Sequence, residues 1–318
     1  MPGGQERALR RRIRSVQATQ KITRAMELIA ASQIVRAQNR LAAALPYQRG
    51  LAEVLAEAAA DAGDQAGRLL GTPEDPRRIL VLCLVADRGL CGGYNANVLR
   101  ATERLVRARR QAGATVQVVT VGRKAPPYLR FRRVEVSRSF GGFSDRPSFA
   151  DARAVAEAVV PPFLAEEIDQ VLVVSTRYRS AGTQVVEERQ LLPLPDPSAD
   201  GEATPRTPAA GEDLPPGTVG PEDRQGYVEF EPASQDLLGE LVPRYAEAAI
   251  FGALLEAAVS EHTARQRAMA AATDNAEELV KTLTRVMNRA RQDAITTEIM
   301  EIVGGAEALR QAEEAEAS

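Results

Sequence analysis

The chain has 318 residues, 44% hydrophobic and 26% charged, with a net charge of -3 and a pI near 5.6, which argues against nucleic-acid binding over its whole surface. Its two cysteines, Cys83 and Cys91, and its single histidine, His262, exclude a disulfide scaffold, a Cys2His2 zinc finger and a multi-histidine metal centre, so no metal or other cofactor is expected. No apolar run reaches the roughly 18 residues that span a bilayer, and the basic N-terminus lacks the apolar segment of a secretory signal, so the expected compartment is the cytoplasm.

From Gly4 to Leu45 there is no proline and no further glycine. Apolar residues recur at three- and four-residue steps: Leu9, Ile13, Val16, then Ile22, Met26, Ile29, Ile34 and Leu41. That spacing predicts one helical stripe, with Pro46 allowing a kink or break before helix resumes through Leu51, Val54 and Leu55. A helix is assigned to 1–58. The middle of the chain, 77–194, alternates short apolar runs with helical stretches. The run 79–85 (ILVLCLV), 116–121 and 171–176 are expected as strands buried on both faces, with helices at 95–111 and 149–160, the latter ending at Pro161-Pro162. Thr183 to Leu191 is expected to add an antiparallel strand. Strand–helix alternation implies a parallel α/β sheet with right-handed crossovers.

Residues 195–226 are rich in Pro, Gly, Ala, Asp and Glu, have little aliphatic content, and read as a disordered acidic insertion. Residues 227–243 close the α/β domain. A second long helix is assigned to 244–310, with Ala276, Leu279, Leu283, Val286, Ala290, Ile295, Ile299 and Ile302 in a four–three rhythm, and 311–318 is a polar tail. Two amphipathic helices at opposite ends of the chain imply an antiparallel pair. The fold class is therefore α/β: an antiparallel coiled coil of the N- and C-terminal helices plus a Rossmann-like α/β domain.

No G-x-x-x-x-G-K-[ST] phosphate loop occurs. The Gly-rich stretch 87–93 (DRGLCGG) follows an expected strand and precedes a helix, so its amides are a candidate anion cradle, against the plainer reading of a tight strand-to-helix connection. Cys83 is expected in the core and Cys91 in the loop, as a candidate reactive thiol. The arginines at 7, 10, 11, 12, 14 and 24, with Lys21, leave three readings open: nucleic acid, an acidic protein surface, or a solvated helical face.

The segments 19–32 (TQKITRAMELIAAS), 271–276 (AATDNA), 288–292 (NRARQ) and 295–306 (ITTEIMEIVGGA) closely resemble the terminal helices of the gamma subunit of F-type ATP synthase. The loop 87–95 (DRGLCGGYN) and 190–194 (QLLPL) resemble that family too, so the likeness spans nearly the whole chain. It implies a central rotor shaft that transmits torque between ion flow through a membrane c ring and ATP synthesis or hydrolysis in a hexamer of three alpha and three beta subunits. The implied chain has no catalytic nucleotide site, cofactor or metal, and no nucleic-acid partner. It meets alpha, beta, epsilon and the c ring, and associates with the membrane only through the complex, peripherally, at the cytoplasmic face of the bacterial plasma membrane. By resemblance, Arg291 and Gln292 match a catch contact with beta, and Lys21, Arg24 and Met26 the helix face that meets an acidic beta loop. Phe230 and Glu231 resemble an element near the c ring and epsilon. Gln33 departs from the lysine that many members carry, and the insertion lacks the cysteine pair of plant chloroplast versions, so thiol control is not expected. The alternative is an α/β phosphate- or nucleotide-binding enzyme with a coiled-coil oligomerisation stalk.

Overall fold

The computed structural model describes residues 2–62, 69–194 and 234–316; the insertion 195–226 lies outside them. The chain forms two compact units, one of Met1–Ala30 with Arg265–Ser318, the other of Ala31–Ala264.

The second unit is built on a five-stranded sheet: β1 (Arg78–Leu84), β2 (Thr115–Val121), β3 (Arg138–Phe140), β4 (Gln170–Tyr178) and β5 (Gln184–Leu192), in the order β3-β2-β1-β4-β5. β1 to β4 are mutually parallel, and β5 runs antiparallel to β4. Three helices join the strands: α2 (Tyr94–Gln111), α3 (Ala125–Phe131) and α4 (Phe149–Leu164). The two long helices are α1 (Pro2–Ala62) and α5 (Ser234–Glu316).

The strands are apolar on both sides because both faces of the sheet are covered. Leu80, Leu82, Val119, Val171 and Val173 point into one core with α4, Leu55 and Ala58 of α1, and Leu238, Val242 and Ile250 of α5. The alternate residues Ile79, Val81, Cys83, Val118, Leu172 and Val174 point into the other, under α2 and Leu129 of α3. α4 starts where Ser148 Oγ accepts from the Asp151 amide and the Asp151 carboxylate accepts from the Ser148 amide, a reciprocal cap.

Three sequence expectations are corrected. α1 runs through Pro46 without a break. Pro46 and Ala42, whose carbonyl the ring displaces, are both exposed, so that carbonyl is free to turn to water. α4 likewise continues through Pro161 and Pro162 to Leu164, because the prolines fall in its last turns. α3 and β3 were not expected; each is too short to show a period, and α3 has proline in its first turn, where the missing N–H is not needed.

In the first unit the early part of α1 pairs antiparallel with the later part of α5. The less exposed positions on α1 are Leu9, Ile13, Val16, Gln20, Thr23, Glu27 and Ala30; on α5 they are Met269, Thr273, Ala276, Val280, Leu283, Met287 and Ala290. Both sets step by four and three, the 3.5-residue period of a left-handed coiled coil. Thr23 Oγ1 and Thr273 Oγ1 share a buried hydrogen bond of 2.8 Å across the seam. Since α1 starts at Pro2, that register exhausts α1 near Ala294, and from Ile295 to Ala306 every residue of α5 is exposed.

Candidate functional site

The coiled-coil seam is built from small and polar side chains as much as from large apolar ones. Gln20, Thr23, Glu27, Ala30, Thr273 and Ala276 occupy it, while Ile22 (61% exposed), Leu28 and Ile29 lie outside. Leu279 and Val286, expected on the seam, also face outward; Val280 and Met287 are the less exposed neighbours. Further along α5, Ile295, Ile299, Met300 (68% exposed), Ile302 and Val303 are exposed, with no helix against them among the described residues. Large apolar residues in such number on the outside of a rod mark a surface that another protein covers. Burying each contributes roughly 1.5–3 kcal/mol. Sequence periodicity missed this outer set because it placed Ile22, Ile29, Leu279 and Val286 in the inner stripe; the Thr23–Thr273 level sets the true phase.

Lys21 and Arg24 are exposed on α1, and Met26 is half-buried one turn on. Arg24 Nη1 donates to both oxygens of Glu27 at 2.9 Å, which turns its charge along the helix. Arg291 and Gln292 are exposed on α5. The two groups do not form one site. Lys21 and Arg24 lie level with Thr273, and Arg291 lies some 18 residues further along α5, about 27 Å at ~1.5 Å per residue. They face whatever surrounds the rod at two heights. Phe230 and Glu231 lie outside the described residues.

The Gly-rich loop between β1 and α2 opens on Asp87, whose carboxylate reaches to neighbouring loops. Asp87 Oδ2 accepts from the amides of Gly142 (2.8 Å) and Ser144 (2.9 Å), and Oδ1 from the amide of Arg123 (3.0 Å). Partial burial acts to raise the Asp87 pKa, but these amides and the Ser144 hydroxyl outweigh it and leave it lowered. The loop is closed by Asn95, whose Oδ1 accepts from the Ala86 amide at 2.8 Å and whose Nδ2 donates to Cys91 Sγ at 3.2 Å. Leu90 and Gly92 take left-handed φ of 61° and 57° to make the turn. The amides that donate to Asp87 belong to the neighbouring loops at 123 and 142–144, so the Asp87 carboxylate ties the Gly-rich turn to them. Cys91 is buried beneath it against Tyr94, which corrects its reading as a reactive loop thiol. Cys83 lies in the core, where burial pushes its pKa up to about 12 against the hydrogen bond from Thr102. His262 is buried, its Nε2 3.0 Å from the carbonyl oxygen of Asp145.

A cleft of about 550 Å³ between α2 and β5 is lined by Asn97, Arg100, Arg104, Gln184, Val185 and Val186, none of them an acid, thiol or imidazole. Among the described residues no group of three or more His, Cys, Asp and Glu is placed to hold a metal, and no helix is long and apolar enough to cross a membrane.

A paired-helix unit with an apolar exterior, together in one chain with an α/β sheet unit, defines a class of subunit that functions inside a larger assembly. The comparisons with known proteins specify which. A family model described as ATP synthase matches residues 5–309. The ATP synthase gamma chain of Frankia casuarinae is 46% identical over 310 residues, covering 96% of this chain and 98% of that protein. That of Streptomyces coelicolor is 44% identical over 315 residues, covering 98% of each. The fold matches a chain of the Euglena gracilis mitochondrial ATP synthase, solved as OSCP, F1 and c-ring in rotational state 3. The TM-score is 0.64 at 18% identity, covering 98% of this chain and 96% of that one. A chain of the rotor of the same enzyme in rotational state 1 matches with a TM-score of 0.60 at 18% identity, covering 92% of this chain and 99% of that one. The chain belongs to the ATP synthase gamma chain family.

Proposed function

We propose that the chain is the central rotor shaft of an F1Fo ATP synthase, transmitting torque between ion flow through a c ring and ATP chemistry in a ring of three alpha and three beta subunits. In this reading it has no catalytic site of its own, meets epsilon and the c ring through the α/β unit, and reaches the membrane only through the complex, at the cytoplasmic face of the plasma membrane. The observation that carries the proposal is the paired-helix rod, whose seam mixes small and polar with apolar residues while large apolar residues such as Ile22, Ile29, Ile299 and Met300 lie outside. A helix pair made only to dimerise would put its isoleucines inside.

The mechanism follows from asymmetry. A single rod surrounded by three chemically identical catalytic sites orders their states only by binding each differently at a given angle. The contacts must be moderate, since a deep well at one angle stalls rotation. The exposed aliphatic residues 295–303 supply weak, non-directional contact that slides. Lys21, Arg24, Arg291 and Gln292 supply directional, angle-dependent contacts to beta at two heights, with Met26 packing beside the first pair. Phe230 and Glu231 are proposed on the epsilon and c-ring side. The rival reading, a phosphate- or nucleotide-binding enzyme with a coiled-coil stalk, is disfavoured by the 44–46% identity to ATP synthase gamma chains over nearly the whole chain.

The test is co-expression with the alpha and beta subunits of the same organism, followed by native mass and ATPase assay. A three-to-three-to-one complex that hydrolyses ATP is expected; a folded chain that ignores alpha and beta and binds nucleotide alone contradicts the proposal. Replacing Arg291 and Gln292 together by Ala should slow coupled turnover severalfold and leave assembly intact. Wild-type turnover in that variant would remove the catch role.

A further inference from the structure

We propose that the loop 144–147 is a torsional anchor for the shaft, a bracket that grips α5 through Ser144–Glu261 and Asp145–His262, and α1 through Pro147–Arg40. The inference rests on the rotor reading and adds where twist in the long helices is handed to the α/β unit.

Torque along a helix must leave it through contacts that resist rolling about its own axis. Part of the α5 surface in this unit resists rolling poorly: Ala246, Ala253, Ala257 and Ala258 are buried there among larger side chains such as Ile250 and Leu254, and packing of small apolar groups is non-directional. Hydrogen bonds are directional. Four side chains of α5 between Glu256 and His262 make them. Arg189 of β5 donates to Glu256 Oε2 at 3.0 Å. Ser260 Oγ donates to the carbonyl oxygen of Thr176 on β4 at 3.4 Å. Ser144 Oγ donates to Glu261 Oε2 at 3.1 Å, and His262 Nε2 lies 3.0 Å from the Asp145 carbonyl oxygen. Successive helical residues point roughly 100° apart, so Ser260, Glu261 and His262 project in three directions around the axis. Ser260 is tied to β4 and Glu261 and His262 to the 144–145 loop, so rolling in either sense works against a fixed partner.

The bracket is itself stiffened. Ser144 Oγ accepts from the Asp87 amide at 2.8 Å, which aims its own proton at Glu261. Asp87 Oδ2 in turn holds the Gly142 and Ser144 amides. α1 is fastened at the same level: Arg40 donates to the Pro147 carbonyl oxygen, and Gln38 Nε2 donates to Tyr178 Oη at 2.7 Å. Further along, Gln48 Nε2 donates to the Ala248 carbonyl oxygen at 2.9 Å, and the Gln48 side chain fills the space that a Cβ on Gly252 would need. Both helices continue unbroken out of this unit as the rod. Glu261 is 1% exposed, within the buried stretch 257–263 of α5. Stability alone is served as well or better by an apolar residue at such a position, so a directional role accounts for a carboxylate there.

The experiment uses the assembled complex with a probe fixed to the α/β unit and the alpha/beta ring immobilised. The variants are Ser144→Ala with His262→Leu, Glu261→Leu, and Glu261→Gln, which keeps an oxygen to accept from Ser144. During catalytic pauses the angular variance of the probe should at least double in the first two and stay close to wild type in Glu261→Gln. ATP hydrolysis by the unloaded complex should change less than twofold, while ATP-driven ion pumping against a gradient falls severalfold. A simple folding defect would lower assembly and hydrolysis together and leave the variance of assembled complexes unchanged. If the double variant does not assemble, Ser144→Ala alone is compared with wild type by the same variance. Wild-type variance in Ser144→Ala and Glu261→Leu overturns the anchor. Absence of rotation in the wild-type complex overturns the rotor reading instead.

Discussion

At Asp87 two effects pull the carboxyl in opposite directions. Partial burial acts to raise its pKa, while three backbone amides and the Ser144 hydroxyl act to lower it, and the hydrogen bonds win. A folded-state pKa below the ordinary value of 3.8 contributes stability that is present above that value and lost as pH falls through the lowered one. Denaturant melts of the purified chain should therefore show an acid limb below pH about 4 that is flatter in Asp87→Asn. At neutral pH the variant should be less stable by about 2 kcal/mol, because its amide group turns a donor toward at least one backbone N–H. An unchanged acid limb would mean that Asp87 carries no such linkage. Gly122 is a second residue fixed by geometry. Its φ is +102°, and a Cβ there would meet the Val85 carbonyl. Gly122→Ala should lower stability by more than about 2 kcal/mol, read from the same melts; a wild-type midpoint would contradict the geometry.

At the scale of the element, the seam between α1 and α5 turns on the Thr23–Thr273 pair. Replacing both by Val keeps shape and removes both hydroxyls, so a double-mutant cycle should give a coupling of about 0.5–1.5 kcal/mol in complex stability. A coupling near zero would shift the seam away from these residues. The same pair explains what sequence periodicity could read. β1, β2 and β4 were legible because a strand covered on both faces is apolar at every position, and no other feature of the chain imitates that. The long helices were legible as helices, and the phase of their contact was not. A rod that touches protein both inside and outside carries apolar residues all around, so Ile22 and Ile29 mimic a seam that Gln20, Thr23 and Glu27 occupy. Pro46 misled for a related reason: proline penalises a helix interior, and an exposed position lets the displaced carbonyl find water. The contacts proposed for Lys21, Arg24, Arg291 and Gln292 rest on family resemblance, since charge alone does not separate a contact from a solvated face. Glu261 had a local signal, an acid two residues past the apolar run 257–259, but its bracket comes from a loop 117 residues away in sequence.

For the whole molecule, two facts fit together. The rod has an exterior that needs covering, and the sheet unit has a polar bracket that resists twist in the helices passing through it. Membership in the ATP synthase gamma chain family gives both a common purpose, and the central claim is that the chain turns as a body while its surroundings stay fixed. The most direct measurement attaches a probe to the α/β unit of a complex with alpha and beta held on a surface, and adds ATP. The account predicts unidirectional rotation in three equal steps per turn, stopping when ATP is removed. Hydrolysis by the intact complex with a probe that shows only Brownian fluctuation would contradict it.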